Sequence, residues 1–270
     1  MSQVRRNRAV RLPSVPKRMD LNAYLARIGA ADRPGPTVEG LAAVQRAHRR
    51  AIPFENLDIP LGRGISLDPG AIAAKLVTAR RGGYCFEHNA LFLSALIELG
   101  FDARPLLARV WLEAAGVPPR THTLSLVQID GEGWIADAGF GGSDVPPMSL
   151  KDGNETVIEG VRHGLRRDPD HGWMLARNGE RQYSFTEERV YPSDLTVANH
   201  WVATAPTSRF STKRIASIVV DGGLVSLSGA RLSHAGTASD LEDAAAYRAA
   251  LADRFGIALS EEEAALLFAG

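Results

Sequence analysis

The chain has 270 residues, 45% of them hydrophobic, and its 31 basic and 31 acidic side chains cancel. That composition supports a substantial core or two to three packed sub-domains. The zero net charge argues against nucleic acid or an anionic membrane as the main partner, though a local basic patch stays open. One cysteine excludes an intrachain disulfide and fits a reducing cytoplasm, and no apolar run reaches the roughly 18 residues of a membrane span.

Residues 1–18 carry Arg5, Arg6, Arg8, Arg11, Lys17 and Arg18 with no apolar stretch behind them. They read as a disordered basic tail rather than a secretory signal. Ordered pattern begins at Met19, which is an alternative start. Residues 19–101 read as a helical bundle. Asp20 caps a helix with Leu21, Tyr24, Leu25 and Ile28 on one face, and Pro36-Thr37 precede a second with Leu41, Val44 and Ala47. Asp68-Pro69 starts a third, running to about Ala79. After Arg81-Gly82-Gly83-Tyr84, a fourth runs from Cys85 to Leu99 with Leu91, Leu93, Leu96 and Ile97 as its face, closed by Gly100.

From Asp102 the pattern is that of strands, and 102–205 reads as a β-barrel or sandwich. Residues 103–112, 121–129 and 134–139 look extended, and 172–177 and 181–186 flank the hairpin signal Asn178-Gly179. A short helix is expected over 192–204. The last segment, 206–270, reads as an α/β unit: strands 214–220 and 224–228 about Asp221-Gly222-Gly223, a helix over 239–255, and a final helix begun by the Ser260/Glu263 capping box.

Cys85 follows two glycines and opens a helix, where unpaired amides favour negative charge and lower a thiol pKa. A lone cysteine is otherwise most often a buried structural thiol. A nucleophilic thiol needs a base. His88 is close in sequence, but it shares the helix of Cys85. His122 starts the strand ending at Ile129, Asp130-Gly131 makes a turn, and the chain returns through Trp134 to Asp137. With that turn Leu124 faces Asp137 and His122 lies one diagonal step away, roughly 7–8 Å at the backbone, within reach of a carboxylate–imidazole bond. An aspartate in an apolar strand is costly unless paired, so Asp137 reads as the orienter of His122, with a hydrogen-bonded turn carboxylate as the structural alternative. Asp137 leads into Ala138-Gly139-Phe140-Gly141-Gly142, which lacks the features of a phosphate-binding or dinucleotide-binding loop. It is either a plain loop or a place of close backbone approach to a ligand.

Taken together, these stretches resemble the arylamine N-acetyltransferase family. Arg81-Gly-Gly-Tyr-Cys-Phe-Glu-His-Asn89 resembles its nucleophile motif, and Pro53-Phe-Glu-Asn-Leu57 an early segment. Arg120-Thr-His122 resembles its histidine motif, Trp134 to Gly142 its aspartate motif, and Asn199 to Phe210 a later segment. The resemblance spans about residues 19 to 270. It implies an α+β fold: an N-terminal helical bundle, a central antiparallel β-barrel and a C-terminal α/β lid, with a cysteine-protease-like Cys85-His122-Asp137 triad. It implies acetyl transfer from acetyl-CoA, as co-substrate and without a metal, to an arylamine, arylhydrazine or N-hydroxyarylamine through an acetyl-cysteine intermediate. Phe54, Phe140 and Phe210 would line the acceptor pocket, core packing being the alternative for each. Gly141 and Gly142, or the basic Lys213 and Arg214, would lie near the CoA phosphates. Self-association into a homo-oligomer is left open. The nearest rival is an amide synthase that closes a macrolactam from a carrier-bound polyketide chain. A cysteine hydrolase and a non-catalytic binding module are the others.

Overall fold

The computed structural model describes residues 19–270; the basic tail expected over 1–18 lies outside them. Helix α1, Leu21–Ile28, is capped by the Asp20 side chain on the Ala23 amide and ends in the left-handed Gly29. Helix α2, Val38–Ala51, is capped by Thr37. The two-residue strand β1, Phe54–Glu55, follows. Asp68 caps α3, Pro69–Ala73, which continues into a π-helical turn over Ala74–Thr78. Helix α4, which opens on Cys85, is Cys85–Glu98. Leu21, Tyr24, Leu41, Val44, Phe92 and Leu96 from α1, α2 and α4 pack into one core. Two positions expected on the buried face of α4 are corrected: Leu93 is half-buried and Ile97 is 53% exposed. Leu91 and Leu96 are buried as expected, and Cys85, His88, Asn89, Phe92 and Ala95 complete the buried face, because the first two turns of α4 meet polar partners.

Eight antiparallel strands form a curved sheet: β2 Asp102–Val110, β3 Arg120–Ile129, β4 Glu132–Ala136, β5 Met148–Ser149, β6 Asn154–Ile158, β7 Val161–Asp168, β8 Gly172–Arg177 and β9 Glu180–Phe185. Their spatial order is β5-β4-β3-β2-β9-β8-β7-β6. The edges nearly meet, and Asn154 of β6 donates to the Ser149 carbonyl and hydroxyl of β5 at 3.1 Å each. The result is a nearly closed barrel filled by Leu106, Leu124, Ile135, Phe140, Leu165 and Trp173.

Helices α5, Pro192–Thr204, and α6, Arg209–Thr212, lead to strands β10 Ile215–Val220, β11 Gly223–Ser228, β12 Arg231–His234 and β13 Thr237–Asp240, then to α7 Ala244–Phe255 and α8 Glu261–Ala269. The helix expected over 239–255 is corrected. Its first residues complete the β12–β13 hairpin, and the helix starts where the Asp243 side chain caps the Ala246 amide. These four strands form a second sheet with β1 at its edge, ordered β1-β10-β11-β12-β13. Phe54 and Glu55, far earlier in the chain, therefore pair with Ser217 and Ala216. No helix among the described residues is long and apolar enough to cross a membrane.

Candidate active site

Pro53 to Leu57 ties three parts of the molecule together. The Glu55 amide donates to the Gly83 carbonyl at 2.7 Å and the Gly83 amide to the Pro53 carbonyl at 3.3 Å, which zips this segment to the loop before Cys85. A Cβ at Gly82 would lie 2.2 Å from the Pro53 oxygen, so this close approach requires glycine. Asn56 clamps the later segment, donating to Phe210 and Lys213 carbonyls at 2.8 and 2.7 Å and accepting from the Ile215 amide at 2.8 Å. Glu55 pairs with Arg81 at 2.7 Å. Glu87 accepts from the Tyr84 amide at 3.1 Å and from Lys75 at 2.8 Å, closing the start of α4. Burial pushes the Glu87 carboxyl up to about 7, against the pull of Lys75.

Cys85 sits at the first position of α4, 3% exposed, with its Sγ 4.0 Å from the Thr121 carbonyl of β3. Burial pushes its thiol up, and the Asp137 carboxylate adds to this; the Phe86 and Cys85 amides pull it down but do not win. The lowering expected from the helix start is present in those two amides, but burial outweighs it. In this buried position the proton must be taken by a neighbouring base.

The β3–β4 hairpin has the register expected from the Asp130-Gly131 turn: Ile129 opposite Glu132, continuing to Ser125 opposite Ala136. Just beyond its last pair, His122 Nε2 lies 2.7 Å from Asp137 Oδ2, with His122 2% and Asp137 1% exposed. Asp137 Oδ1 accepts from Asn89 at 3.0 Å and from the Gly139 amide at 2.9 Å. Burial alone would raise the Asp137 carboxyl, but His122, Asn89 and the Gly139 amide hold it below its ordinary value. A carboxylate only accepts hydrogen bonds, so Nε2 of His122 carries the proton and Nδ1 is left as the basic nitrogen.

Support for this pair comes from residues the sequence reading gave no role. Asn89, one turn after Cys85, also donates to the Thr123 carbonyl at 2.6 Å and accepts from the Ala138 amide at 3.1 Å. Its spacing of four from the cysteine was the available signal. Gln45 of α2 accepts from the Asp137 amide at 2.9 Å. The Tyr183 ring lies 5.2 Å from that of His122, and its buried hydroxyl is held well above its ordinary value by burial and by the Asp137 carboxylate it faces. No sequence pattern marks Gln45 or Tyr183.

His88 goes elsewhere. Its ring bonds His48 and the Pro53 carbonyl at 2.8 and 3.0 Å, and burial pushes it down to about 3. Both nitrogens are occupied, and it is not a base for Cys85.

A cavity of about 600 Å³ opens over these groups, walled by Cys85, His122, Phe54, Phe140 and Phe210. Gly141 and Gly142 line it as well, and so do Lys213 and Arg209. Phe140 stands edge-on to His122 at 5.2 Å, and Phe54 lies 5.9 Å from Phe210. A Cβ at Gly141 would meet the Phe54 ring at 2.6 Å, whereas one at Gly142 would find only Leu112, at 3.9 Å. Arg214 is corrected as a lining residue. Neighbouring residues of an extended segment point to opposite sides, and its guanidinium faces Gly270 at the C-terminus. Among the described residues, no group of three or more His, Cys, Asp or Glu could hold a metal ion.

The N-acetyltransferase family model matches residues 37–264. An arylamine N-acetyltransferase / N-hydroxyarylamine O-acetyltransferase of Salmonella typhimurium is 37% identical over 255 residues, covering 89% of this chain and 90% of that protein. The arylamine N-acetyltransferase of Mycolicibacterium smegmatis is 39% identical over 260 residues, covering 90% and 94%. Among solved structures, the S. typhimurium enzyme superposes with a TM-score of 0.87 at 35% identity, covering 92% of this chain and 97% of that one. The Mycobacterium marinum arylamine N-acetyltransferase in complex with CoA gives 0.85 at 36% identity, covering 92% and 98%. The chain belongs to the arylamine N-acetyltransferase family.

Proposed function

We propose that this protein transfers an acetyl group from acetyl-CoA to an arylamine, arylhydrazine or N-hydroxyarylamine through an acetyl-Cys85 intermediate. The observation that carries the reading is the 2.7 Å His122–Asp137 pair beside a helix-start thiol on the wall of an aromatic cavity. The relatives' names favour acetyl transfer over macrolactam closure.

The residues present fit CoA. The cavity runs from Cys85 to the cations Arg209 and Lys213, and Gly142 leaves its backbone open to a ligand. Bound there, acetyl-CoA supplies an activated acyl thioester. His122 Nδ1 takes the Cys85 proton, and Asp137 stabilises the imidazolium so formed. The Cys85 thiolate attacks the acetyl carbonyl; the bond to the CoA sulfur breaks, and that sulfur leaves with the proton held by His122. Amides at the start of α4, that of Cys85 among them, face the developing oxyanion. The acceptor nitrogen then attacks acetyl-Cys85 and gives its proton to His122. The amide product departs, and the thiolate–imidazolium pair is restored. Phe54, Phe140 and Phe210 hold the acceptor ring.

Intact-mass analysis after acetyl-CoA alone tests this. Wild type should gain one acetyl group and Cys85→Ala none, and an aniline should discharge the adduct. A wild type that gains no acetyl mass sinks the reading.

A further inference from the structure

The acetyl-transfer reading uses Cys85, His122 and Asp137, and leaves unexplained a second set of buried imidazoles in the bundle. The Tyr24 hydroxyl of α1 lies 2.9 Å from His48 Nδ1 of α2. His48 Nε2 lies 2.8 Å from His88 Nδ1 of α4, and His88 Nε2 lies 3.0 Å from the Pro53 carbonyl. Tyr24, His48 and His88 are each 0% exposed. A carbonyl only accepts, so His88 Nε2 is a donor and its Nδ1 an acceptor. The same step makes His48 Nε2 a donor, with its Nδ1 accepting from Tyr24. One placement of three protons satisfies every group with both rings neutral. Burial and Arg49 press both rings toward that neutral form, with His88 and Arg27 adding to this at His48 and Lys75 at His88; the Pro53 carbonyl and Asp137 oppose them at His88.

The row ends at the cavity. The Pro53 carbonyl also receives the Gly83 amide from the loop before Cys85. The next residue, Phe54, stacks on His88 with ring centres 6.1 Å apart and planes 19° apart. Gly141 closes on the same Phe54 ring, with space only for a residue lacking Cβ. A cavity aromatic is thus held by an imidazole whose own orientation is fixed by a hydrogen-bond row crossing three helices.

We propose that Tyr24, His48 and His88 form a positioning row that fixes the plane of Phe54 and so selects aromatic over non-aromatic nitrogen acceptors. It rests on the acetyl-transfer reading and deepens it. None of the three acts on the thioester; they work through Phe54.

The test compares kcat/KM for aniline and for hydrazine, with acetyl-CoA as donor, in wild type, His88→Leu, His88→Gln, Tyr24→Phe, Phe54→Leu and the His88→Leu/Phe54→Leu double variant. His88→Leu should lower the aniline value by about tenfold and the hydrazine value by less than about threefold, with partial rescue in His88→Gln, whose amide can still donate to Pro53. In the Phe54→Leu background the His88→Leu effect on aniline should shrink to less than about threefold. Equal losses for both acceptors, or full independence of the two substitutions, would overturn the proposal. Should His88→Leu not fold, Tyr24→Phe removes one oxygen at the far end of the row and should shift the aniline-to-hydrazine ratio in the same direction.

A readout that needs no turnover keeps the proposal apart from the reading beneath it. With ¹³C-labelled phenylalanine, the two edges of the Phe54 ring should give separate signals in wild type and averaged ones in His88→Leu and Tyr24→Phe. Unchanged ring exchange in both variants would reject the row even if acetyl transfer is confirmed. Loss of slow exchange would support it even if acetyl-CoA proves to be the wrong donor.

Discussion

His122 donates from Nε2 to Asp137 Oδ2 across 2.7 Å, immediately past the point where the ladder between their strands stops. The hairpin delivers both residues to one end of the barrel, and Asn89 and the Gly139 amide occupy the other carboxylate oxygen. Asp137 therefore stays ionised although buried, and its charge is spent on one imidazole edge. Asp137→Asn preserves shape but removes that charge and lets the amide favour the wrong tautomer. Acetylation of Cys85 should fall by about a thousandfold or more, with little change in KM for acetyl-CoA. Rapid-quench mass spectrometry of the first half-reaction measures it.

In the proposed mechanism the Cys85 thiol, raised by desolvation and by Asp137, depends on His122 for its reactivity. In His122→Asn no base can share its proton, and both raising effects persist. Iodoacetamide alkylation of Cys85 should slow near neutral pH and its pH midpoint should move above that of an ordinary thiol. In wild type the reaction should remain fast at neutral pH, because proton transfer to His122 creates the thiolate without taking net charge into the site. Alkylation rates across pH decide this. Equal profiles for the two proteins would remove His122 as the base.

Acid should destabilise the fold through its buried histidines before it protonates the buried aspartates. The His88 ring falls from 6.5 to about 3, and that of His48 well below 6.5, chiefly by burial. In the window below 6.5 the unfolded chain binds protons that the folded one refuses, so stability drops with falling pH by up to about 1.4 kcal/mol per pH unit for each ring. Glu87 opposes this. Its carboxyl rises from 4.5 to about 7, so the folded state holds a proton there and loses stability as pH rises through that window. Two histidines outweigh one glutamate, and the net slope from about pH 4.5 to 6.5 should favour neutrality. Asp58 and Asp137, both held below 3.8, add to the loss only under more acidic conditions. Urea midpoints against pH should show the slope, and His48→Gln should flatten it by about one proton's worth.

The parts legible in the sequence are those set by local rules. Caps at Asp20, Thr37, Asp68 and Ser260 mark helix starts, and the Asp130-Gly131 turn fixes the register that places His122 near Asp137. What was not legible depends on tertiary partners. Strand β6 alternates between half-buried and exposed residues, and β13 is exposed throughout, so neither carries an apolar face to read. The pairing of Phe54 with Ser217 joins segments more than half the chain apart. Sharing the helix of Cys85 counts against His88 as the base, but the carbonyl and imidazole that occupy both its nitrogens are tertiary partners that no local pattern marks.

Gly139 and Gly141 separate two requirements that the glycine-rich loop serves together. A Cβ at Gly139 would lie 2.6 Å from the Asn89 amide nitrogen and 2.9 Å from the Cys85 carbonyl, the former a support of Asp137 and the latter at the proposed nucleophile. A Cβ at Gly141 would instead enter the Phe54 ring at 2.6 Å. Each alanine should destabilise the fold by about 1–3 kcal/mol, since the buried Asn89 and Phe54 side chains must shift to admit the methyl. The kinetic consequences should differ. Gly139→Ala displaces Asn89 from Asp137 and should lower kcat for aromatic and non-aromatic acceptors alike, because the proposed mechanism uses His122 in both half-reactions. Gly141→Ala tilts Phe54 and should chiefly raise KM for an aniline while leaving Cys85 acetylation within about threefold of wild type. Melting temperatures confirm the shared cost of the added methyl, and single-turnover acetylation beside aniline saturation curves separates the two roles. If both variants lost acetylation equally, Gly141 would belong to the thiol's support rather than to the acceptor wall.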